Sequence, residues 1–133
     1  MYMLDTDICI YIIKQKPKNV LKRFQQLQTG ELAISVITYA ELMNGAKKSR
    51  RVKDNLTKLE ELAELLIIEP FHKEAAIAYG DIRSNLEKNG LVIGSNDLLI
   101  AAHALSLDWV LVTNNVKEFK RVGGLKIENW VKN

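Results

Sequence analysis

Four short apolar runs recur along the chain, and each stands next to a segment with helical spacing. Met1–Leu4, Leu32–Ile37, Leu65–Glu69 and Trp109–Thr113 read as strands. Residues 6–15 carry Ile8, Tyr11, Ile12 and Ile13 at helical spacing, and 18–28 place Val20, Leu21, Phe24 and Leu27 on one face. Helices are also expected over 38–48, over 50–64 (with Val52, Leu56, Leu59, Leu62 and Ala63 in a stripe) and over 73–89. Residues 90–95 form a loop, 96–107 an almost wholly apolar helix and 115–119 a short helical turn. Leu125–Trp130 is a candidate fifth, edge strand. Strands that alternate with helices pair in parallel, because a parallel pair needs a crossover long enough to hold a helix. Right-handed crossovers then cover both sheet faces, so the expected fold is a three-layer α/β/α sandwich with a mostly parallel central sheet. The 133 residues suit one domain spanning 1–133.

Composition narrows the setting. Hydrophobic residues make up 47% of the chain, enough for a packed core and too many for disorder. A lone cysteine, Cys9, excludes an internal disulfide and suits a reducing compartment. No apolar run has the length of a membrane span and no secretory signal pattern opens the chain, so a soluble, cytoplasmic protein is expected. The net charge is only +3, but the basic residues cluster: Lys47, Lys48, Arg50, Arg51 and Lys53 in one stretch, Lys14, Lys16, Lys18, Lys22 and Arg23 in another. Such clusters serve either as solvated surface or as contacts for a phosphate backbone.

The acids fall at particular places. Asp5 ends the first strand, Glu41 lies early in the helix after the second, and Asp97 opens the apolar helix before the fourth. Thr113, Asn115 and Glu118 follow the fourth strand. In a parallel sheet these positions share the carboxyl edge, where α/β proteins gather their chemistry. Carboxylates crowded there repel one another, and a hard divalent cation such as Mg²⁺ or Mn²⁺ is the usual compensation. Each acid also has a purely structural use. Asp5, Thr6 or Asp7 can cap the first helix, Asn96 or Asp97 the apolar one, and Thr38-x-x-Glu41 and Asn115-x-x-Glu118 both have capping-box form. His103 within the apolar helix reads as a core histidine, Cys9 as apolar filler, and Trp109 and Trp130 as packing anchors. No Walker-type or dinucleotide-binding glycine motif is present.

Four blocks then carry a family likeness. MYMLDTDICIYII, SVITYAELMNGA, IGSNDLLIAAHAL and LVTNNVKEFKRVGGLKIENW resemble, in order, the successive blocks of PIN-domain ribonucleases of the VapC toxin type. The resemblance implies a PIN fold, Mg²⁺ or Mn²⁺ dependence and endonucleolytic cleavage of RNA, with a tRNA anticodon loop as the substrate of similar enzymes. It also implies a homodimer and a VapB-like antitoxin that places a C-terminal segment in the active-site groove. Asp5, Glu41 and Asp97 match the metal-binding acids of the family. Many relatives have an Asp two residues after the Thr that matches Thr113; here Asn115 stands in its place, and Glu118 is the nearby residue able to supply the charge. Asp7 stands where Asn is common, and Thr113 is placed to orient a water or a phosphate oxygen. Two other readings remain: a PIN-fold binding module without catalysis, and a phosphatase of the haloacid-dehalogenase class. The phosphatase reading rests on Asp5-Thr6-Asp7 and meets Cys9 where that signature has Thr or Val.

Overall fold

A computed structural model describes residues 1–132. Five strands form one parallel sheet: β1 (Tyr2–Leu4), β2 (Leu32–Ser35), β3 (Ile67–Glu69), β4 (Val110–Val112) and β5 (Lys126–Glu128), in spatial order β3-β2-β1-β4-β5. Seven helices flank it: α1 (Thr6–Lys14), α2 (Lys18–Gln26), α3 (Val36–Lys47), α4 (Val52–Ala63), α5 (Lys73–Lys88), α6 (Ser95–Leu107) and α7 (Val116–Phe119). The strand pleat divides the core. Leu4, Leu32, Ile34 and Val112 pack with α1, α2, α4 and Trp130 on one face. Met3 and Leu111 pack with α5, α6 and α7 on the other. This is the expected three-layer sandwich, and the edge strand β5 joins it in parallel.

Several boundaries differ from the sequence reading for local reasons. β2 ends at Ser35 rather than Ile37, because the Ser35 hydroxyl accepts the Ile37 N–H and starts α3 two residues early. Leu65 and Leu66 do not extend β3; their N–H groups close the end of α4 on Leu62 and Ala63 carbonyls. Trp109 stays outside β4, its N–H bound to the Ala104 carbonyl in the turn where Asp108 takes a positive φ of 57°.

His103 is fully buried, as expected of a core histidine. Its Nδ1 lies 2.8 Å from the Ser35 hydroxyl, tying α6 to the start of α3, and its ring meets Phe71 edge-on. Burial lowers the ring's pKa, against the opposing pull of the Glu69 charge and the Pro70 carbonyl, and so favours the neutral imidazole. Cys9 is fully buried, and burial pushes its thiol far above the usual range, which leaves it unreactive.

Since Leu111 is fully buried at the sheet centre, Leu111→Ala is expected to cost about 2–5 kcal/mol in denaturant unfolding. A loss below about 1 kcal/mol would contradict close packing on this face.

Candidate active site

β1 is the switch point of the sheet. The chain passes from β1 to β2 and β3 on one side, then returns to lay β4 on the other. In sheets of this kind the site lies beyond the carboxyl ends of the strands at the switch point, here β1 and β4. Asp5 follows β1 and is only 4% exposed. Its N–H donates to the Val112 carbonyl at 3.0 Å, and its Oδ1 accepts the Ile8 N–H at 3.0 Å. Asp5 therefore does cap α1, yet the cap uses one carboxylate oxygen and leaves the charge buried. Burial raises its pKa to about 6, with Asp7 and Glu41 adding repulsion; a hydrogen bond from Thr113 and the Ile8 N–H oppose the rise.

Asp97 lies in the first turn of α6, whose start reaches the same edge because α6 runs back toward β4. It caps nothing: the helix begins at Ser95, with Gly94 at the cap position and no side-chain cap bond. Desolvation and then the charges of Glu118, Asp5 and Glu41 raise its pKa to about 7. Glu118, on α7, receives the Gly94 N–H on Oε1 at 2.9 Å and the Asn115 amide on Oε2 at 2.7 Å. The Gly94 N–H contributes most to holding its carboxyl below the usual range. Asn115 thus serves Glu118, while its own N–H donates to the Thr113 hydroxyl at 2.9 Å. A Cβ on Gly94 would make ordinary contact with Asp97 Oδ2 at 3.6 Å and Glu118 Oε1 at 3.7 Å, which places this glycine directly against both acids.

Glu41 is not a capping-box residue. Ser35 caps α3, and Thr38 is buried inside it. The carboxylate instead accepts from the Thr6 hydroxyl on Oε1 at 2.6 Å and from the Asn96 amide on Oε2 at 3.1 Å. From sequence alone Thr6 and Asn96 are only possible caps. Their position directly after Asp5 and directly before Asp97 was the available signal. Asp7 is exposed, though its charge is felt at Asp5.

Asp5, Asp97 and Glu41 act on one another electrostatically, and Glu118 acts on Asp97. Among the described residues none of the four makes an ion pair with Lys, Arg or His. Nor do three acid, His or Cys side chains already converge as a closed ligand set. The arrangement is an open cluster of oxygen donors with excess negative charge, the donor chemistry that Mg²⁺ and Mn²⁺ select.

The basic clusters divide. Arg23 is engaged internally: it pairs with Glu128 at 3.4 Å and stacks 5.6 Å from the Tyr2 ring and 5.8 Å from that of Trp130. Lys47, Lys48, Arg50, Arg51 and Lys53 are exposed and without an acidic partner among the described residues. Lys14 lines a groove that starts at Thr6 and Glu41 and runs between α1, α3 and α4 over Ile10, Leu42 and Gly45.

A five-stranded parallel sheet with its acids gathered at the β1–β4 switch point defines a class, and comparison with known proteins agrees. The PIN domain family model matches residues 2–125, and the chain belongs to the PIN-domain family. Ribonuclease VapC2 of Rickettsia felis is 44% identical over 133 residues, covering 99% of both chains. The tRNA(fMet)-specific endonuclease VapC of Shigella flexneri is 43% identical over 129 residues, covering 97% of both. Among solved structures, a chain of VapBC2 from Rickettsia felis bound to a promoter DNA fragment superposes with a TM-score of 0.91 at 44% identity, covering 97% of this chain and 98% of that one. A chain of DNA-bound VapBC from Salmonella typhimurium gives 0.92 at 42% identity, covering 97% of each. Membership in this family leaves the haloacid-dehalogenase reading without support.

The raised pKa values of Asp5 and Asp97 set a pH dependence. Both groups hold protons in the folded chain that they release in the unfolded one between about pH 4 and pH 7. Their contribution to stability is therefore complete at low pH and is lost as pH rises through about 6 to 7. Thermal melting in EDTA is expected to show this loss, and millimolar Mg²⁺ to reverse it above pH 7. Asp5→Asn keeps an Ile8 cap acceptor, removes the buried charge and should raise Tm at pH 8 in EDTA. The gain is up to about 3 kcal/mol, the cost of ionising a carboxyl whose pKa burial has pushed up to about 6. A lower Tm for that variant at pH 8 would show that the Asp5 charge is compensated inside the fold.

Proposed function

We propose that this chain is a divalent-metal-dependent endoribonuclease, the toxin of a toxin–antitoxin pair. The observation that carries the proposal is the cluster itself: Asp5 and Asp97 beside Glu41 and Glu118, with no ion pair to Lys, Arg or His among the described residues and only the more distant charge of Arg121 acting on Glu118. Support for the substrate and partner comes from the relatives, which are named as ribonucleases and a tRNA(fMet)-specific endonuclease, and whose solved structures are VapBC complexes.

Asp5 and Asp97 are the residues that would hold Mg²⁺ or Mn²⁺, with Glu41 and Glu118 supplying further charge. A divalent ion held there would supply Lewis-acid chemistry, stabilising charge on the phosphate and lowering the pKa of the attacking water, so that hydroxide could displace the leaving ribose oxygen from phosphorus. The chain's own groups prepare the site. The Ile8 N–H and the Thr113 hydroxyl fix Asp5, so that its carboxylate needs no reorganisation. The Gly94 N–H and the Asn115 amide do the same for Glu118. Glu118 thereby brings a negative charge to Asp97 where the family pattern would have Asp at 115. The exposed Lys47–Lys53 cluster offers phosphate contacts without sequence preference. An unstacked RNA loop, as in tRNA, can enter a crevice that a duplex cannot.

The apolar groove from Thr6 to Gly45 gives the antitoxin segment a seat that also blocks the acids. No helix of the described residues is long and apolar enough to cross a membrane. The expected assembly is a homodimer, which light scattering should report as twice the chain mass; a monomer at micromolar concentration would overturn it.

With Mg²⁺, purified protein is expected to cut structured RNA, and EDTA to stop it. Asp5→Asn and Asp97→Asn should each lower the rate at least about 100-fold with melting curves that remain cooperative. Expression should arrest growth, and Asp5→Ala should relieve the arrest. Cleavage undiminished in the folded Asp5→Asn and Asp97→Asn variants would refute hydrolysis at this site. A wild-type protein that binds RNA without cutting it would return the binding-module reading.

A further inference from the structure

Glu41 differs from the other acids in how it is held. It has no backbone partner among the described residues; both its oxygens go to neutral side chains from two other helices. The Thr6 hydroxyl, in the first turn of α1, donates at 2.6 Å, a length typical of a charge-assisted O–H···O⁻ bond. The Asn96 amide, in the first turn of α6, donates at 3.1 Å. Thr6 has one proton, and the carboxylate is its closer and charged acceptor. The 3.4 Å contact between Thr6 and the buried Thr38 then runs the other way, with Thr38 donating to Thr6.

Thr6 and Asn96 adjoin Asp5 and Asp97 in the chain. The three helices that deliver the three acids are therefore tied together at the acids, through one carboxylate. The choice of donors matters chemically. A Lys or Arg would hold Glu41 as firmly but would neutralise it and leave less attraction for a cation. A hydroxyl and an amide fix the carboxylate's direction and leave its charge in the crevice. Each oxygen keeps lone-pair capacity beyond the bond it accepts.

We propose that Thr6 and Asn96 are positioning residues that hold Glu41 toward the Asp5–Asp97 crevice, so that capture of the divalent ion depends on both. The proposal rests on the metal-dependent nuclease reading and deepens it.

The test is a set of double-mutant cycles on the full chain, read by calorimetric titration of Mn²⁺ into RNA-free protein and, separately, by cleavage rate against Mg²⁺ concentration. Thr6→Val and Asn96→Ala are each expected to weaken Mn²⁺ binding about 10-fold, within the range seen when outer partners of metal ligands are removed. The cleavage curve should shift to higher Mg²⁺ with little loss of rate at saturation. Thr6→Ser, which restores the hydroxyl, should recover most of the affinity; a purely packing role for the threonine methyl would not be rescued so. In a Glu41→Ala background neither Thr6→Val nor Asn96→Ala should change Mn²⁺ affinity further.

Should Thr6→Val fail to fold, Asn96→Ala carries the test, because Asn96 is exposed. Wild-type Mn²⁺ affinity in both single variants would overturn the proposal, as would the same 10-fold loss persisting without Glu41. A wild-type enzyme that cleaves RNA beside unaffected variants sinks only this assignment. A wild-type protein that never cleaves sinks the nuclease reading instead.

Discussion

Repulsion among carboxylates brought to one end of a parallel sheet is the constraint on which this structure turns. Asp5 is the extreme case, a 4% exposed carboxyl at the end of the central strand. An apolar residue there would bury more favourably, and the position is one where a charge costs stability unless it is paired or hydrogen-bonded. The fold answers only in part. Among the described residues it supplies a backbone N–H and a hydroxyl, no ion-pairing cation, and two further acids close enough to make matters worse. The proposed compensation is a hard divalent ion, which oxygen donors of this kind suit.

The surroundings make sense as supports for that cluster. Parallel strands place Asp5 and Thr113 side by side beyond β1 and β4, and the return path of α6 brings Asp97 to the same edge. Gly94 lies against Asp97 and Glu118, and its N–H anchors Glu118. Neutral donors recur throughout: Thr6, Asn96, Asn115, Thr113 and backbone N–H groups. They restrict where the carboxylates point without cancelling their charge. The basic residues 47–53, without an acidic partner among the described residues, stand apart on the α3–α4 stretch rather than beside the acids.

Much of this was legible in the chain. The strand–helix alternation gave the layers, and the ends of apolar runs marked Asp5 and Asp97, because a charge abutting a buried strand or helix has few other reasons to be there. The ambiguities lay where one local pattern serves two purposes. Thr38-x-x-Glu41 has the form of a capping box, and only the fold shows that Ser35 holds that role and that Glu41 turns outward to other helices. Arg23 looked like part of a free basic cluster and is instead stacked against Tyr2 and Trp130. Both turn on contacts between residues distant in sequence.

Periodicity and residue type alone settled the class of fold, the order of its elements and which acids lie at element ends, since these follow from local burial and backbone preference. Tertiary structure alone decided which partners each acid has: Glu41 reaches Thr6 and Asn96 across 35 and 55 residues of chain, and Glu118 reaches Gly94 across 24. A side chain's charge state and direction depend on neighbours delivered by packing, and packing is a property of the assembled sheet and helices rather than of any segment within them.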